Sequence, residues 1–270
     1  MERIIAINSN TYHGFTLEQA INGISKAGFK YIELTATKGW TEHVFPDMSF
    51  EKLIQIKEDL LAHGLKPYAM SGHCNLMDQE RIEDFIMNIR LAAFFECDFI
   101  ISSVGEAHLK DKKEVTDDEV AEEIKNLIPY LEEYNLILCL ENHGKHATGK
   151  QLKKIIDRIG SPRVMINYDT ANAIYYGNVN LEEDLDSCID KIAHMHLKDK
   201  DGEYNEWNFP AIGKGNLDFE MVLEKLEAAG NHCPLSIEIE FTKAGPENLE
   251  EVDQAVQDSY DYLIKAGKKI

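Results

Sequence analysis

The feature that most constrains the fold is an alternation, repeated eight times, of a short β-rich run and a longer run with helical spacing. Repeated βα units of this kind predict an α/β fold with a parallel sheet covered by helices. With 270 residues and no interior linker, the chain fits one closed (β/α)8 barrel, a TIM barrel, better than an open doubly wound sheet. We therefore expect a single domain over residues 1–270. The β-rich runs are residues 3–8, 31–35, 66–71, 98–104, 136–140, 164–168, 192–197 and 235–241.

Short polar signals mark where the helices begin and bend. A Thr followed three residues later by Gln or Glu is a capping box, which opens a helix. Pro129 lies inside the fourth helical run and predicts a kink there. The charged run at 110–114, in the loop after the fourth strand, is expected on the exposed surface or in a lid. The two capping boxes are Thr16 with Gln19 and Thr116 with Glu119.

Composition narrows the class of protein. The hydrophobic share of 44% and the charged share of 28% are those of an ordered globular chain. The formal net charge of −20 opposes binding to nucleic acid and to anionic membranes. No apolar segment approaches the roughly 18 residues that a membrane-spanning helix needs, and no targeting leader precedes the first strand, so we expect a cytoplasmic protein. The five scattered cysteines contain no CxxC pair, which argues against a disulfide framework and a structural zinc site.

Ionisable residues stand at the ends of four predicted strands. The apolar run LILCL leads into Glu141, and Asp169, His196 and Glu238 occupy similar positions on the sixth, seventh and eighth strands. In a barrel, the carboxyl ends of the strands meet around one site. Several carboxylates and an imidazole facing one cavity need a counter-cation. Mn²⁺, Mg²⁺ and Co²⁺ suit such ligands best, and Zn²⁺ is also compatible. Glu240 shares a strand face with Glu238, so either residue can supply the fourth ligand.

Five motifs in order resemble the xylose-isomerase-like TIM-barrel family of sugar-phosphate isomerases and epimerases, which is related to ketose 3-epimerases and inosose dehydratase. The resemblance covers essentially the whole chain. It implies one divalent metal ion held by Glu141, Asp169, His196 and Glu238. It also implies that Glu141 and Glu238 are catalytic and move the proton next to a carbonyl. The motifs are ENHG, YDTAN, HMHLKD, GKGNLDF and SIEIE.

The chain departs from the epimerase pattern at two positions and leaves other activities open. Asn172 replaces a His, and Gly202 replaces an Arg. The HLKD version of the seventh motif is instead similar to inosose dehydratase, so a lyase or dehydratase is the alternative. The family also contains endonucleases that cut DNA at abasic sites with three zinc ions. Their additional ligands are missing at Asn172 and in NEWNFP, which disfavours that activity. A non-catalytic sugar-binding barrel is a further alternative.

Polar and aromatic residues at the same rim are candidates for substrate binding. We expect a sugar or sugar phosphate as the substrate, no nucleic acid or membrane partner, and a homodimer or homotetramer formed through the outer helices. Gly213 and Gly215 are interpreted as a cradle for a phosphate, since two backbone N–H groups can bind an anion. The candidate substrate-binding residues are His73, His143, Asn172, Lys198, Glu33 and Trp207.

Overall fold

A computed structural model describes residues 3–105 and 115–267, so the charged run at 110–114 lies outside the described residues. The eight predicted strand runs all form strands, and three short strands lie between or after them. The strands in chain order are β1 (Ile5–Asn8), β2 (Tyr31–Thr37), β3 (Thr41–Glu42), β4 (Lys66–Ser71), β5 (Phe99–Ser103), β6 (Ile137–Glu141), β7 (Val164–Asp169), β8 (Ile192–Leu197), β9 (Asn208–Phe209), β10 (Leu235–Ile237) and β11 (Phe241–Thr242).

Eight of these strands close into a parallel barrel. Each barrel strand pairs with the next one along the chain, in the order β1, β2, β4, β5, β6, β7, β8 and β10. The pairing of β1 with both β2 and β10 closes the ring. The short strand β3 folds back on β2, and β9 pairs with β11 at the mouth of the barrel. The predicted (β/α)8 barrel is therefore confirmed.

Helices follow the barrel strands and begin at the predicted caps. Thr16 and Thr116 both form complete capping boxes with the residue three positions later. Pro129 stands in the first turn of a new helix, so the fourth helical run is broken in two rather than kinked. The helices are α1 (Leu17–Ala27), α2 (Phe50–Ala62), α3 (Gln79–Phe94), α4 (Asp117–Lys125), α5 (Ile128–Glu133), α6 (Gly149–Ile159), α7 (Thr170–Tyr175), α8 (Leu181–Cys188), α9 (Phe219–Ala228) and α10 (Leu249–Gly267).

The last barrel strand is shorter than the sequence pattern predicts. The run 235–241 was expected as one strand, but β10 ends at Ile237. The N–H of Glu238 still donates to Leu197, whereas the N–H of Ile239 donates to the hydroxyl of Thr11. Because the chain leaves the barrel there, Glu238 stands at the mouth.

Apolar residues fill two places in this architecture. The larger cluster lies between the strands and the helices, and a smaller one, with Tyr68, Ile101 and Cys139, lies among the strands. Cys139 shares a strand face with Glu141, so the barrel interior changes from apolar to charged toward its carboxyl end. In the described residues, no helix is both long enough and apolar enough to span a bilayer.

Candidate metal centre and active site

Four ionisable side chains meet at the mouth of the barrel. Glu141 and Asp169 end β6 and β7, His196 lies on β8, and Glu238 directly follows β10. Each side chain offers one ligand atom, these atoms all lie within 4.8 Å of one another, and all four residues are buried. The structure thus brings together the four side chains that the resemblance implies as metal ligands, and we call this set the four-ligand cluster.

The cluster contains lone pairs that the protein leaves unsatisfied. Within the described part of the chain, Asp169 Oδ2 and His196 Nδ1 are buried and have no hydrogen-bond partner. His196 Nδ1 lies 2.6 Å from Glu141 Oε1 without hydrogen-bond alignment, and 3.7 Å from Glu238 Oε2. Buried polar atoms nearly always have partners. Oxygen and imidazole donors converging on one point fit a single divalent cation, which would satisfy all of them at once.

Glu33 fixes which nitrogen of His196 faces the cluster. Its two carboxylate oxygens lie 3.0 and 3.1 Å from His196 Nε2. Because a carboxylate can only accept, Nε2 carries the hydrogen, and the lone pair of the neutral ring lies on Nδ1. Glu33 was expected to bind substrate, but it is completely buried behind His196. In the structure Glu33 therefore contacts His196, a candidate metal ligand, and does not line the cavity at the mouth of the barrel.

The mutual charges of the cluster perturb its titration. Burial raises the pKa of Asp169 to about 8, and the neighbouring Glu141 and Glu238 add to that effect while Lys198 opposes it. Burial also works to lower the pKa of His196, but the charges of Glu33 and Glu238 outweigh it and raise that pKa well above its usual value. Bound protons therefore offset part of the negative charge of the cluster.

Lys198 supplies a permanent cation beside the cluster. Its Nζ lies 2.5 Å from Glu240 Oε2, 3.2 Å from Glu238 Oε2 and 3.8 Å from Asp169 Oδ2. It also sits 4.7 Å from the centre of the Phe209 ring. Both glutamates therefore pair with Lys198, but only Glu238 also lies within the cluster among the described residues. This geometry favours Glu238 over Glu240 as the fourth ligand.

The cluster opens into a cavity of about 370 Å³. His73 lines it, with Nε2 lying 3.9 Å from Glu141 Oε2, and His143 lies beside it against the Tyr176 hydroxyl. Trp207 forms part of the wall and packs edge-on against Tyr175. Lys198 also lines the cavity, so four of the candidate substrate-binding residues do so: His73, His143, Lys198 and Trp207.

Asn172 supports two members of the cluster from behind. Its side-chain Nδ2 lies 3.5 Å from Glu141 Oε2, and its backbone N–H donates to Asp169 Oδ1 at 2.8 Å. The second contact caps α7, a short helix that the sequence pattern did not predict. In the structure Asn172 is thus buried and orients two candidate ligands.

Asn10 is a site residue that the sequence reasoning missed. It lies in a 3-10 turn after β1, and its Nδ2 donates to Glu238 Oε1 at 3.0 Å. Its Oδ1 accepts from Trp40 Nε1 and from the hydroxyl of Thr41. Its position directly after the first strand could have identified it, because the loops that follow the strands of a barrel form the active site.

Gly213 and Gly215 bind an anion that belongs to the chain itself. Their N–H groups both donate to Asp199 Oδ2 at 2.8 Å. Lys200 and Leu217 donate from their backbone N–H groups to Asp199 Oδ1. We call this arrangement the Asp199 cradle. The interpretation as a phosphate site is corrected, because the buried Asp199 carboxylate occupies the position that a phosphate would take.

Comparison with known proteins places this geometry in a family. Inosose dehydratase of Geobacillus thermodenitrificans is 28% identical over an alignment of 147 residues, and the match covers 47% of this chain and 45% of that protein. The chain spans less than half the length of the curated relatives it matches. Among solved structures, the IOLI protein with a bound zinc atom has a TM-score of 0.79 at 18% identity, with 99% of each chain covered. D-psicose 3-epimerase with D-fructose has a TM-score of 0.78 at 14% identity, covering 97% of this chain and 98% of that one.

The similarity to these solved structures shows a shared fold. The family follows from a match between the sequence and a family model. The family model described as "Xylose isomerase-like TIM barrel" matches residues 21–265, which include all four members of the cluster. The chain belongs to the xylose isomerase-like TIM-barrel family.

Proposed function

We propose that this protein is a metal-dependent isomerase or epimerase that acts on a sugar, a keto-polyol or a sugar phosphate. One observation carries the proposal: Glu141 and Glu238 belong to one buried cluster, line one cavity, and are each held by their own amide donors. Asn167 donates to Glu141 at 3.0 Å, and Asn10 donates to Glu238 at 3.0 Å. Two carboxylates fixed in this way suit a reaction in which one takes a proton and the other returns one.

The chemistry follows from the donor set. A divalent cation in the four-ligand cluster would polarise the substrate carbonyl and acidify the adjacent C–H bond. One glutamate then removes that proton, and the other returns a proton to the opposite face or to the neighbouring carbon. Return to the opposite face gives an epimer, and return to the neighbouring carbon gives an isomer. Lys198 holds positive charge beside the substrate oxygens.

Similar proteins support this reaction class. D-psicose 3-epimerase has the same fold over nearly its full length, and inosose dehydratase is a curated relative in sequence. The IOLI protein, which also shares the fold, contains a zinc atom. The carboxylate-rich ligand set of this chain suits Mn²⁺, Mg²⁺ or Co²⁺ best, with Zn²⁺ as an alternative.

Deuterium incorporation tests the proposal whatever product is formed. Metal-loaded protein is incubated in D₂O with ketoses, inososes and their phosphates, and NMR follows deuterium at the carbon next to the carbonyl. We expect incorporation with at least one substrate and its loss after chelation. Absence of incorporation across the panel, with metal bound, would contradict the proposal.

A matched pair of glutamate variants locates the chemistry. Glu238→Gln keeps the size of the side chain but removes the base, so incorporation should fall by about 10³-fold or more. Glu224→Gln removes the same charge from the exposed face of α9 and should leave the rate unchanged. Circular dichroism checks that both variants are folded. Full activity in Glu238→Gln would contradict the assignment of Glu238 as a catalytic base.

A dehydratase is the second candidate, and Lys198 favours it. The buried ammonium lies beside Glu238 and Asp169, where it can protonate a departing hydroxyl after the first proton has been removed. The reaction would release one water and leave a carbon–carbon double bond. Mass spectrometry decides between the two candidates, because a dehydratase product is lighter by one water and an epimer or isomer is not. Lys198→Met should block water loss more strongly than deuterium incorporation.

A further inference from the structure

A second cavity, of about 540 Å³, lies beside the one that contains the cluster. The two share part of their walls, so they are adjacent at the mouth of the barrel. A ligand held at Glu141 and Glu238 that extended past Trp40 and Trp207 would reach the second cavity. The shared wall residues are Asn10, Trp40, Trp207 and Glu240.

Several aromatic rings line the second cavity. Trp40 stacks on His13 with ring centres 4.3 Å apart, and 47% of Trp40 remains exposed. Tyr175 packs edge-on against Trp207 and lines the cavity with it. Such rings offer flat apolar faces, and the indole and phenol groups also carry polar edges. A sugar ring has the matching form, with a C–H face and hydroxyl groups around its edge.

Phe241, which belongs to this wall, has a strained backbone conformation. Phe241 lines the cavity and has a φ of 57°, in the left-handed region that a bulky residue rarely adopts. Its pairing with Phe209 between β11 and β9 holds that conformation. Strain of this kind is typical of ligand-binding positions.

The charge of the lining disfavours a phosphate. Among the described residues that line the second cavity, Lys243 is the one permanent cation, and Glu240 adds a negative charge. Phosphate sites usually combine several cationic or backbone donors around the group. The lining therefore suits a neutral polyhydroxylated ring.

We propose that the second cavity is a subsite for a glycosyl unit attached to the reacting sugar. The preferred substrate is then a ketose glycoside, such as a keto-disaccharide, instead of a free monosaccharide. This inference rests on the proposed function, since it assigns the reacting sugar to the cluster and the attached ring to the aromatic wall.

Binding can be measured without turnover, because the chain contains two tryptophans and both line both cavities. Protein loaded with Mn²⁺ is titrated with D-fructose, with lactulose and isomaltulose, which carry a second ring on the fructose O4 and O6, and with fructose 6-phosphate, while tryptophan fluorescence is recorded. We expect at least one disaccharide to bind about tenfold more tightly than fructose. Fructose 6-phosphate should bind no more tightly than fructose.

Variants at two phenylalanines separate the subsite from a general loss of structure. Phe241→Ala should remove the advantage of the disaccharide and leave fructose affinity unchanged, and Phe241→Tyr should keep the advantage. Phe50→Ala, a matched control that removes an exposed ring from α2, should change neither affinity. Equal affinities for fructose and both disaccharides would overturn the inference, as would a preference for fructose 6-phosphate that Lys243→Ala removes.

Deuterium incorporation distinguishes failure of the inference from failure of the proposed function. If fructose is labelled and no disaccharide binds more tightly, the function stands and the subsite inference is wrong. If a disaccharide binds tightly through Phe241 and no sugar is labelled, the subsite stands and the proposed reaction is wrong.

Discussion

Two buried carboxylate sites lie close together in this chain and are satisfied in different ways. In the Asp199 cradle, four backbone N–H groups donate to one carboxylate. In the four-ligand cluster, whose His196 is only three residues from Asp199 in the chain, Asp169 Oδ2 and His196 Nδ1 have no hydrogen-bond partner in the described residues. The first site is complete within the fold, whereas the second offers buried ligand atoms that a cation could bind.

The difference distinguishes a carboxylate that stabilises the fold, Asp199, from one that is suited to a function, Asp169. Asp199 ties the loop around Gly213 and Gly215 to the end of β8, so its charge serves the fold. Asp169 accepts one backbone N–H at Oδ1 but has no hydrogen-bond partner at Oδ2, and burial raises its pKa to about 8. A buried charge without full compensation costs stability and is retained where a function needs it. Substitutions at the two aspartates should therefore have opposite effects on stability.

The largest effect is expected for Asp199→Asn. The new NH₂ group would face one pair of backbone donors, such as the N–H groups of Gly213 and Gly215, and leave them unsatisfied. The free energy of unfolding should fall by about 3 kcal/mol, measured by urea unfolding. Asp47→Asn, at an exposed position, should stay within about 0.5 kcal/mol of the parent. A fully stable Asp199→Asn would show that the cradle is not structural.

Metal binding should stabilise the protein through the cluster alone. At a Mn²⁺ concentration about 100 times Kd, the free energy of unfolding should rise by about 2.7 kcal/mol. The same increment is expected in Asp199→Asn, because its cluster is intact, and none is expected in Asp169→Asn. Thermal unfolding with and without the ion measures this. An equal gain in the free energy of unfolding in Asp169→Asn would show that the ion binds outside the cluster.

Asp169→Asn should stabilise the metal-free protein, opposite in sign to Asp199→Asn. The amide keeps the oxygen that caps α7 but removes the buried charge. At pH 8 the free energy of unfolding should rise by about 1–2 kcal/mol. A loss of stability in the metal-free variant would mean that Lys198 already compensates Asp169.

The smallest effect is a pH dependence of metal affinity. Because the pKa of Asp169 is raised to about 8 in the metal-free protein, its carboxyl is mostly protonated at pH 7 and must lose that proton when the ion binds. Affinity should therefore rise by about tenfold or more per pH unit below pH 8, because the pKa of His196 is also raised and its ring must lose a proton as well. Calorimetry in buffers of different ionisation enthalpy measures the proton release. Affinity that is constant from pH 6 to pH 8 would contradict this.

Local sequence signals were sufficient for the barrel and for Glu141, Asp169 and His196, whereas the choice of Glu238 over Glu240 needed the family resemblance. Apolar runs that end in a charged residue identified β6 and β7, and the capping boxes identified the starts of α1 and α4. The ends of parallel strands lie on one rim, so Glu141 and Asp169 could be placed near each other without a structure.

Contacts between distant segments could not be predicted in this way. Glu33 reaches His196 across the barrel because of strand register, which local spacing does not encode. A turn after β1 directs Asn10 toward Glu238, and the Gly213–Gly215 loop could equally have bound an external anion or an internal carboxylate. Each of these depends on which segment folds against which.

Anomalous X-ray scattering from crystals grown with Mn²⁺ tests the central claim most directly. The four-ligand cluster should contain one anomalous peak, within coordination distance of Glu141, Asp169, His196 and Glu238, and the Asp199 cradle should contain none. An empty cluster at saturating Mn²⁺, or an ion bound away from these four side chains, would contradict the account.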